Sequence, residues 1–140
     1  MEWAALVPEL YVTDLERSLE FYTSVLGFEV AFSRPEEHFA YIQLGEAQIM
    51  LDQFVEGGSW QTGEMDYPFG RGVNFEIAVD DIVILLERLE AANHPLKIPL
   101  EERWYRQGDV LNGQKQFLVM DPDGYLLRFV EVLGTKPVGE

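Results

Sequence analysis

The chain contains no cysteine, two histidines, and only 10 lysines and arginines against 25 aspartates and glutamates. Without thiols there is no disulfide framework, no thiolate metal site and no cysteine nucleophile, a composition that suits a reducing compartment. The two histidines, His38 and His94, stand at a strand entrance and a helix exit, where each reads as a surface or capping group rather than a metal ligand. A formal charge of −15 argues against polyanionic partners such as nucleic acid or acidic lipid and favours a cationic one. No segment approaches the roughly 18 apolar residues that span a bilayer. The opening Met1-Glu2-Trp3-Ala4-Ala5-Leu6 also lacks the basic start and long apolar run of a secretion signal. The expectation is a soluble, cytoplasmic protein with no membrane partner. A phosphate-cradling glycine loop and a histidine-backed nucleophile are absent too, and the carboxylates form no assignable acid–base pair.

What is present is a diverged repeat. With 140 residues, 47% of them hydrophobic, the chain reads as a single domain over 1–140 that can bury a core. Val12-Thr13-Asp14-Leu15 recurs as Val79-Asp80-Asp81-Ile82, from position 12 to position 79, an offset of 67; Leu19 meets Leu86 and Glu20 meets Glu87 at the same offset. Each copy starts with an apolar strand, passes an aspartate suited to capping a helix, and continues at helical spacing. The stripes are Leu15, Leu19, Tyr22, Leu26 and Ile82, Leu85, Leu86, Leu89, ending near Gly27 and Asn93. Residues 28–34, 39–44 and 47–53 then read as strands, with Gly45-Glu46 as a tight turn. In the second half, 115–120 and 125–132 flank Asp121-Pro122-Asp123-Gly124 as a hairpin. The stretch from Pro95 to Gly113 reads as one strand plus a loop, and Gly134-Thr135-Lys136-Pro137 as a short tail. The fold class is α+β: βαβββ twice, module one about 5–55 and module two about 72–133.

Strand parity separates two faces of each sheet. Leu6, Leu10, Val12, Ile42, Leu44, Val73, Phe75, Ile77 and Val79 are assigned to the helices. The opposite face receives Val7, Glu9, Tyr11, Phe39, Tyr41, Gln43, Gln48, Met50, Asp52, Asn74, Glu76, Ala78, Leu126, Arg128 and Val130. That face mixes carboxylates with aromatic surface, which suits a flat cationic aromatic ligand. Arg128 pairing simply with Glu76, and Phe39 and Tyr41 being buried at an interface, remain open alternatives. Trp60, in the polar Gly57-Gly58-Ser59-Trp60 loop, reads equally as a ligand contact.

The phrase Val12-Thr13-Asp14-Leu15-Glu16-Arg17-Ser18-Leu19-Glu20-Phe21-Tyr22 followed by Val25-Leu26-Gly27-Phe28 resembles the opening module of the vicinal-oxygen-chelate superfamily. Asp121-Pro122-Asp123-Gly124-Tyr125-Leu126-Leu127-Arg128-Phe129 resembles its closing hairpin, and with the repeat the resemblance spans residues 5–133. It implies paired modules curling mixed sheets into a cup, helices on the convex side, and a homodimer. The positions where glyoxalase I carries metal ligands fall on Val7, Met50, Asn74 and Arg128, a set without hard donors and with one fixed positive charge. No metal and no cofactor are therefore expected.

Loss of the metal set resembles the bleomycin resistance group, as do Phe39-Ala40, Met50-Leu51-Asp52 and Leu126-Leu127-Arg128. A tryptophan that this group often carries before the glycine leading into the last hairpin is replaced here by Asn112-Gly113, with Trp104 and Tyr105 earlier. The resemblance implies sequestration of a bleomycin-like cation, with contacts from Glu9, Phe39, Tyr41, Met50, Asp52, Trp60, Asn74, Glu76, Trp104 and Arg128. The alternative is a lyase- or dioxygenase-type enzyme of the same scaffold.

Overall fold

The computed structural model describes residues 2–55, 57–58 and 60–139, so Ser59 of the expected contact loop lies outside the described residues. By contacts the chain divides into a first unit, Met1–Gly72 with Asp121–Tyr125, and a second, Val73–Met120 with Leu126–Glu140.

In the first unit β1 (Glu9–Val12), β2 (Glu29–Arg34), β3 (Phe39–Leu44) and β4 (Ala47–Gln53) lie in the order β1-β4-β3-β2. Only the β1–β4 pair is parallel. Asp14 caps α1 (Leu15–Leu19) by accepting from the Arg17 backbone N–H, the capping role its position suggests. The helix then widens into a π-turn over Glu20–Val25, with Leu26 N donating to Phe21 O. That extra residue rotates the buried face. Ser18, Phe21, Tyr22 and Leu26 are buried while Leu19 is only partly so, a correction to the straight-helix stripe. The helix packs over β4, closing a core of Leu10, Val12, Ala40, Ile42, Ile49 and Leu51.

The second unit repeats the plan: β5 (Asn74–Ala78), α2 (Ile82–Ala91), β6 (Ile98–Gln107), β7 (Val110–Met120) and β8 (Leu126–Pro137), ordered β5-β8-β7-β6 with β5–β8 parallel. Asp81, 67 residues after Asp14, caps α2 by accepting from Val83 N. Ile82, Leu85 and Leu89 of that helix are buried, as are Ile77, Phe117, Val119, Leu127 and Phe129 of the sheet, where Phe117 stacks on Phe129.

Three expectations are corrected. The Pro95–Gly113 stretch, expected as one strand plus a loop, does hold a strand, β6 of ten residues, but in place of the loop it turns at Gly108 into the start of β7. The expected tail is the end of β8, which pairs out to Val110↔Pro137. Both arise because cross-strand pairing stabilises polar, weakly alternating segments that carry little strand signal alone. Finally, Leu6 and Val73, assigned inward by parity, are 84% and 46% exposed. They precede β1 and β5, where ladder geometry no longer dictates direction.

The turn Asp121–Tyr125 belongs to the first unit by its contacts. Tyr22 Oη donates to Asp121 (2.8 Å), and Asp121 also accepts from the backbone N–H groups of Asp123 and Tyr125. Asp123 accepts from both the N–H and the hydroxyl of Thr13, and from Arg17 and Ser18. Gly124 (φ +95°) lies against Pro68, where a Cβ would come within 2.4 Å, so only glycine fits.

Candidate functional site

On the non-helical face of the first sheet, register builds two adjacent rows. One runs Glu9, Met50, Tyr41, Phe32; the next runs Tyr11, Asp52, Phe39, Arg34. Five of the expected contacts, Glu9, Phe39, Tyr41, Met50 and Asp52, thus come together. Phe32 and Arg34 join them; strand parity extended through β2 points to them, although a bulge between Val30 and Phe32 disturbs its alternation.

The two ends of these rows differ. Phe39 and Tyr41 are buried. Tyr41 stacks on Phe32 (centroids 5.0 Å), Trp3 meets both edge-on, and Tyr41 Oη donates to Gln48 Oε1 (2.6 Å). Gln48 also binds the chain start: Ala4 N donates to its Oε1 and its Nε2 donates to Glu2 O. Residues 2–4 therefore lie across this half of the face. Beside them Glu2, Trp3, Ala4, Gln43, Gly45, Glu46 and Gln48 line a cavity of about 430 Å³. At the β1–β4 end Glu9 is exposed and Tyr11, Met50 and Asp52 are half-buried. Partial burial, then the neighbouring Asp52 charge, pushes the Glu9 carboxyl up, and Arg34 opposes this. Burial likewise pushes Asp52 up, with Arg34 lowering it and Glu37 raising it. The Arg34 guanidinium lies 4.0 Å from the Phe39 ring centroid, and its Nε donates to Glu37 Oε2 (2.6 Å). Tyr11 meets Phe54 edge-on, and Trp60 is 73% exposed in the adjoining loop.

In the second unit one row runs Glu76, Arg128, Leu118 and another Asn74, Leu126, Met120. Arg128 approaches Glu76 at 3.7 Å, and its Nε is buried without a hydrogen-bond partner among the described residues. Gln114 donates to Glu76 and Gln116, and Gln116 in turn donates to Glu101 and Tyr105. Glu76 and Arg128 are thus brought together beside a glutamine network that sequence reasoning missed because neutral amides carry no pattern, while Asn74 lies one row away against Leu126. Trp104 is not with them. It pairs with Gly113 on the opposite face, beneath Lys136 Nζ (4.0 Å) and donating to Glu102. A Cβ at Gly113 would fall 2.4 Å from the Trp104 ring, the reason a glycine stands there.

A divalent metal does not fit these residues. The positions that the resemblance gives as ligand positions hold Val7 and Met50 in the first unit and Asn74 and Arg128 in the second, and among the described residues no three His, Asp or Glu side chains converge. His94 bonds Met120 O through Nε2, and His38 ends a 3₁₀ turn with left-handed backbone. No described helix is long and apolar enough to cross a membrane.

Residues 4–129 match the family model described as Glyoxalase/Bleomycin resistance protein/Dioxygenase superfamily. A bleomycin resistance protein of Geobacillus stearothermophilus is 28% identical over 135 residues, covering 89% of this chain and 94% of that one. A lactoylglutathione lyase of Arabidopsis thaliana is 30% identical over 124 residues, 86% of this chain but 41% of the lyase. TioX from Micromonospora sp. ML1 shares the fold at TM-score 0.69 and 22% identity, covering 94% of this chain and all of that one (100%).

Proposed function

Because the chain belongs to the Glyoxalase/Bleomycin resistance protein/Dioxygenase superfamily, we propose that it binds a flat, cationic aromatic small molecule of the bleomycin kind without altering it. The observation that carries this reading is the pair of rows in the first unit. Glu9 and Asp52 stand beside Tyr11 and Met50 at the accessible end of an aromatic face, in a chain of charge −15. Carboxylates attract the cation and speed its approach, while ring surface slows its escape. Asn74, Glu76 and Arg128 of the second unit are proposed as polar contacts, and the exposed Trp60 as an aromatic one. The assembly is proposed as a cytoplasmic homodimer. The lyase relatives favour an enzyme of the same scaffold instead, though the donor set argues against its metal-dependent form.

Titrating bleomycin while following tryptophan emission tests the proposal. Binding should saturate and should weaken with salt, because exposed charges are screened beyond about 8–10 Å near 0.1–0.15 M. Glu9→Gln and Asp52→Asn should chiefly slow association. No saturation at high micromolar drug would overturn drug capture. Drug recovered chemically changed, or one tightly held metal per chain whose removal abolishes an activity, would favour the enzyme.

A further inference from the structure

Arg34 already shows what this face can hold. Its guanidinium carbon sits over the Phe39 ring, 4.0 Å from the centroid, and 5.9 Å from that of Phe32. One edge is fastened by the Glu37 carboxylate at 2.6 Å. Phe39 is the cross-strand neighbour of Asp52 on one side and of Arg34 on the other, so ring, carboxylate and guanidinium share one row. The Arg34 charge also acts on both Glu9 and Asp52. A ring with the Asp52 carboxylate on one side and Glu37 on the other is a seat for a delocalised planar cation, which stacks on the ring while its in-plane N–H groups donate; a tetrahedral ammonium has no plane to lay on the ring. Yet the seat is filled by an arginine that the fold holds only lightly. Arg34 and Glu37 are 44% and 59% exposed, and an ion pair of that kind contributes little to keeping a side chain in place.

We infer that Arg34 is an internal stand-in for the ligand: it occupies a planar-cation seat on Phe39 beside Glu37 and Asp52, and a ligand bearing a guanidinium or amidinium enters by displacing it. This rests on the proposed cation-binding reading and narrows it to a cation class and a gate. Displacement has a measurable cost. A ligand that must wait for the minor, open conformer shows an apparent affinity reduced by the fraction of time the seat is free. If Arg34 holds the ring about nine-tenths of the time, removing it raises affinity about tenfold.

The test titrates benzamidine, which carries a flat amidinium, and benzylamine, of equal charge but tetrahedral, onto the wild type and Arg34→Ala, with bleomycin as a third ligand and Trp3 emission as the signal. Arg34→Ala should bind benzamidine about tenfold more tightly than the wild type, and benzylamine more tightly by only the smaller factor that loss of the Arg34 charge gives any cation. Glu37→Gln, which loosens the clamp and leaves Arg34 in place, should give a smaller gain in the same direction. If benzamidine binds Arg34→Ala equally or more weakly while bleomycin still binds the wild type, the stand-in is wrong and the cation reading survives. An equal gain for benzylamine overturns the planar class. Failure of all three ligands to bind either protein overturns gate and cation reading together.

Discussion

The two units share one strand order, one parallel pair and one capped helix, yet their non-helical faces have diverged. The first sheet has strands of four to seven residues and a face half covered by its own aromatic rings and residues 2–4. The second has strands of up to 12 residues and a face of amides and ions, with Gln116 buried at its centre and Asn74 and Glu76 exposed at its edge. Equal topology therefore does not make equal surfaces. Helix-facing positions answer to one rule, burial against a helix, and both units obey it with Leu, Ile, Val and Phe. The opposite face is free to vary, and function is built where that freedom lies.

The comparison can be broken hardest at the turn that the first unit takes from between β7 and β8. Asp121 is 2% exposed and accepts from Tyr22, Asp123 and Tyr125. Asp121→Ala strands those donors and should cost about 3–5 kcal/mol in denaturant unfolding. The equivalent turn of the first sheet, Gly45-Glu46, is exposed, and Glu46→Ala should cost nothing measurable. A loss below about 1 kcal/mol for Asp121→Ala would mean that this turn does not brace the first unit.

A glycine pair sharpens the contrast at intermediate scale. Gly113→Ala must push the Trp104 ring off its site and should cost about 1–3 kcal/mol. At Gly45 a new Cβ meets nothing within 4 Å, so Gly45→Ala should lose only the backbone preference of φ +59°, about 1 kcal/mol. Adding Trp104→Ala should rescue part of the first loss and none of the second, as a double-mutant cycle would read.

The smallest effect is electrostatic. Glu9 is held above its ordinary range by burial, then by Asp52. A carboxyl whose folded pKa is raised gives stability that is fully present below its unfolded value and is lost as pH rises through the folded one. Glu9→Gln should therefore be slightly more stable than the wild type at neutral pH, by less than about 1 kcal/mol for so exposed a group. The gap should close as the pH falls to about 4. Glu76→Gln, which weakens a contact to Arg128, should show no gain at neutral pH. Thermal melts across pH would decide, and a Glu9→Gln gap that widens in acid would remove the account of a carboxyl raised by burial and a like charge.

Sequence periodicity by itself determined the repeat, both helix caps and the helix-facing side chains within the strands, but not Leu6, Val73 or the turn of α1 at Leu19. Alternation and capping are local consequences of backbone geometry, and a hydrophobic face must be buried wherever the fold puts it. The same parity assembled Glu9, Tyr41, Met50, Asp52 and Phe39 on one face before any coordinates. Only tertiary structure decided what covers that face. Trp3 reaches Tyr41 across 38 residues of chain, Arg34 reaches Phe39 around a 3₁₀ turn, and Trp104 turns away to cover Gly113, because side-chain packing selects among partners that sequence spacing leaves equivalent. The length of β6 and β8 was likewise settled by pairing. A polar segment becomes a strand when a neighbour satisfies its backbone, and that neighbour is a property of the fold.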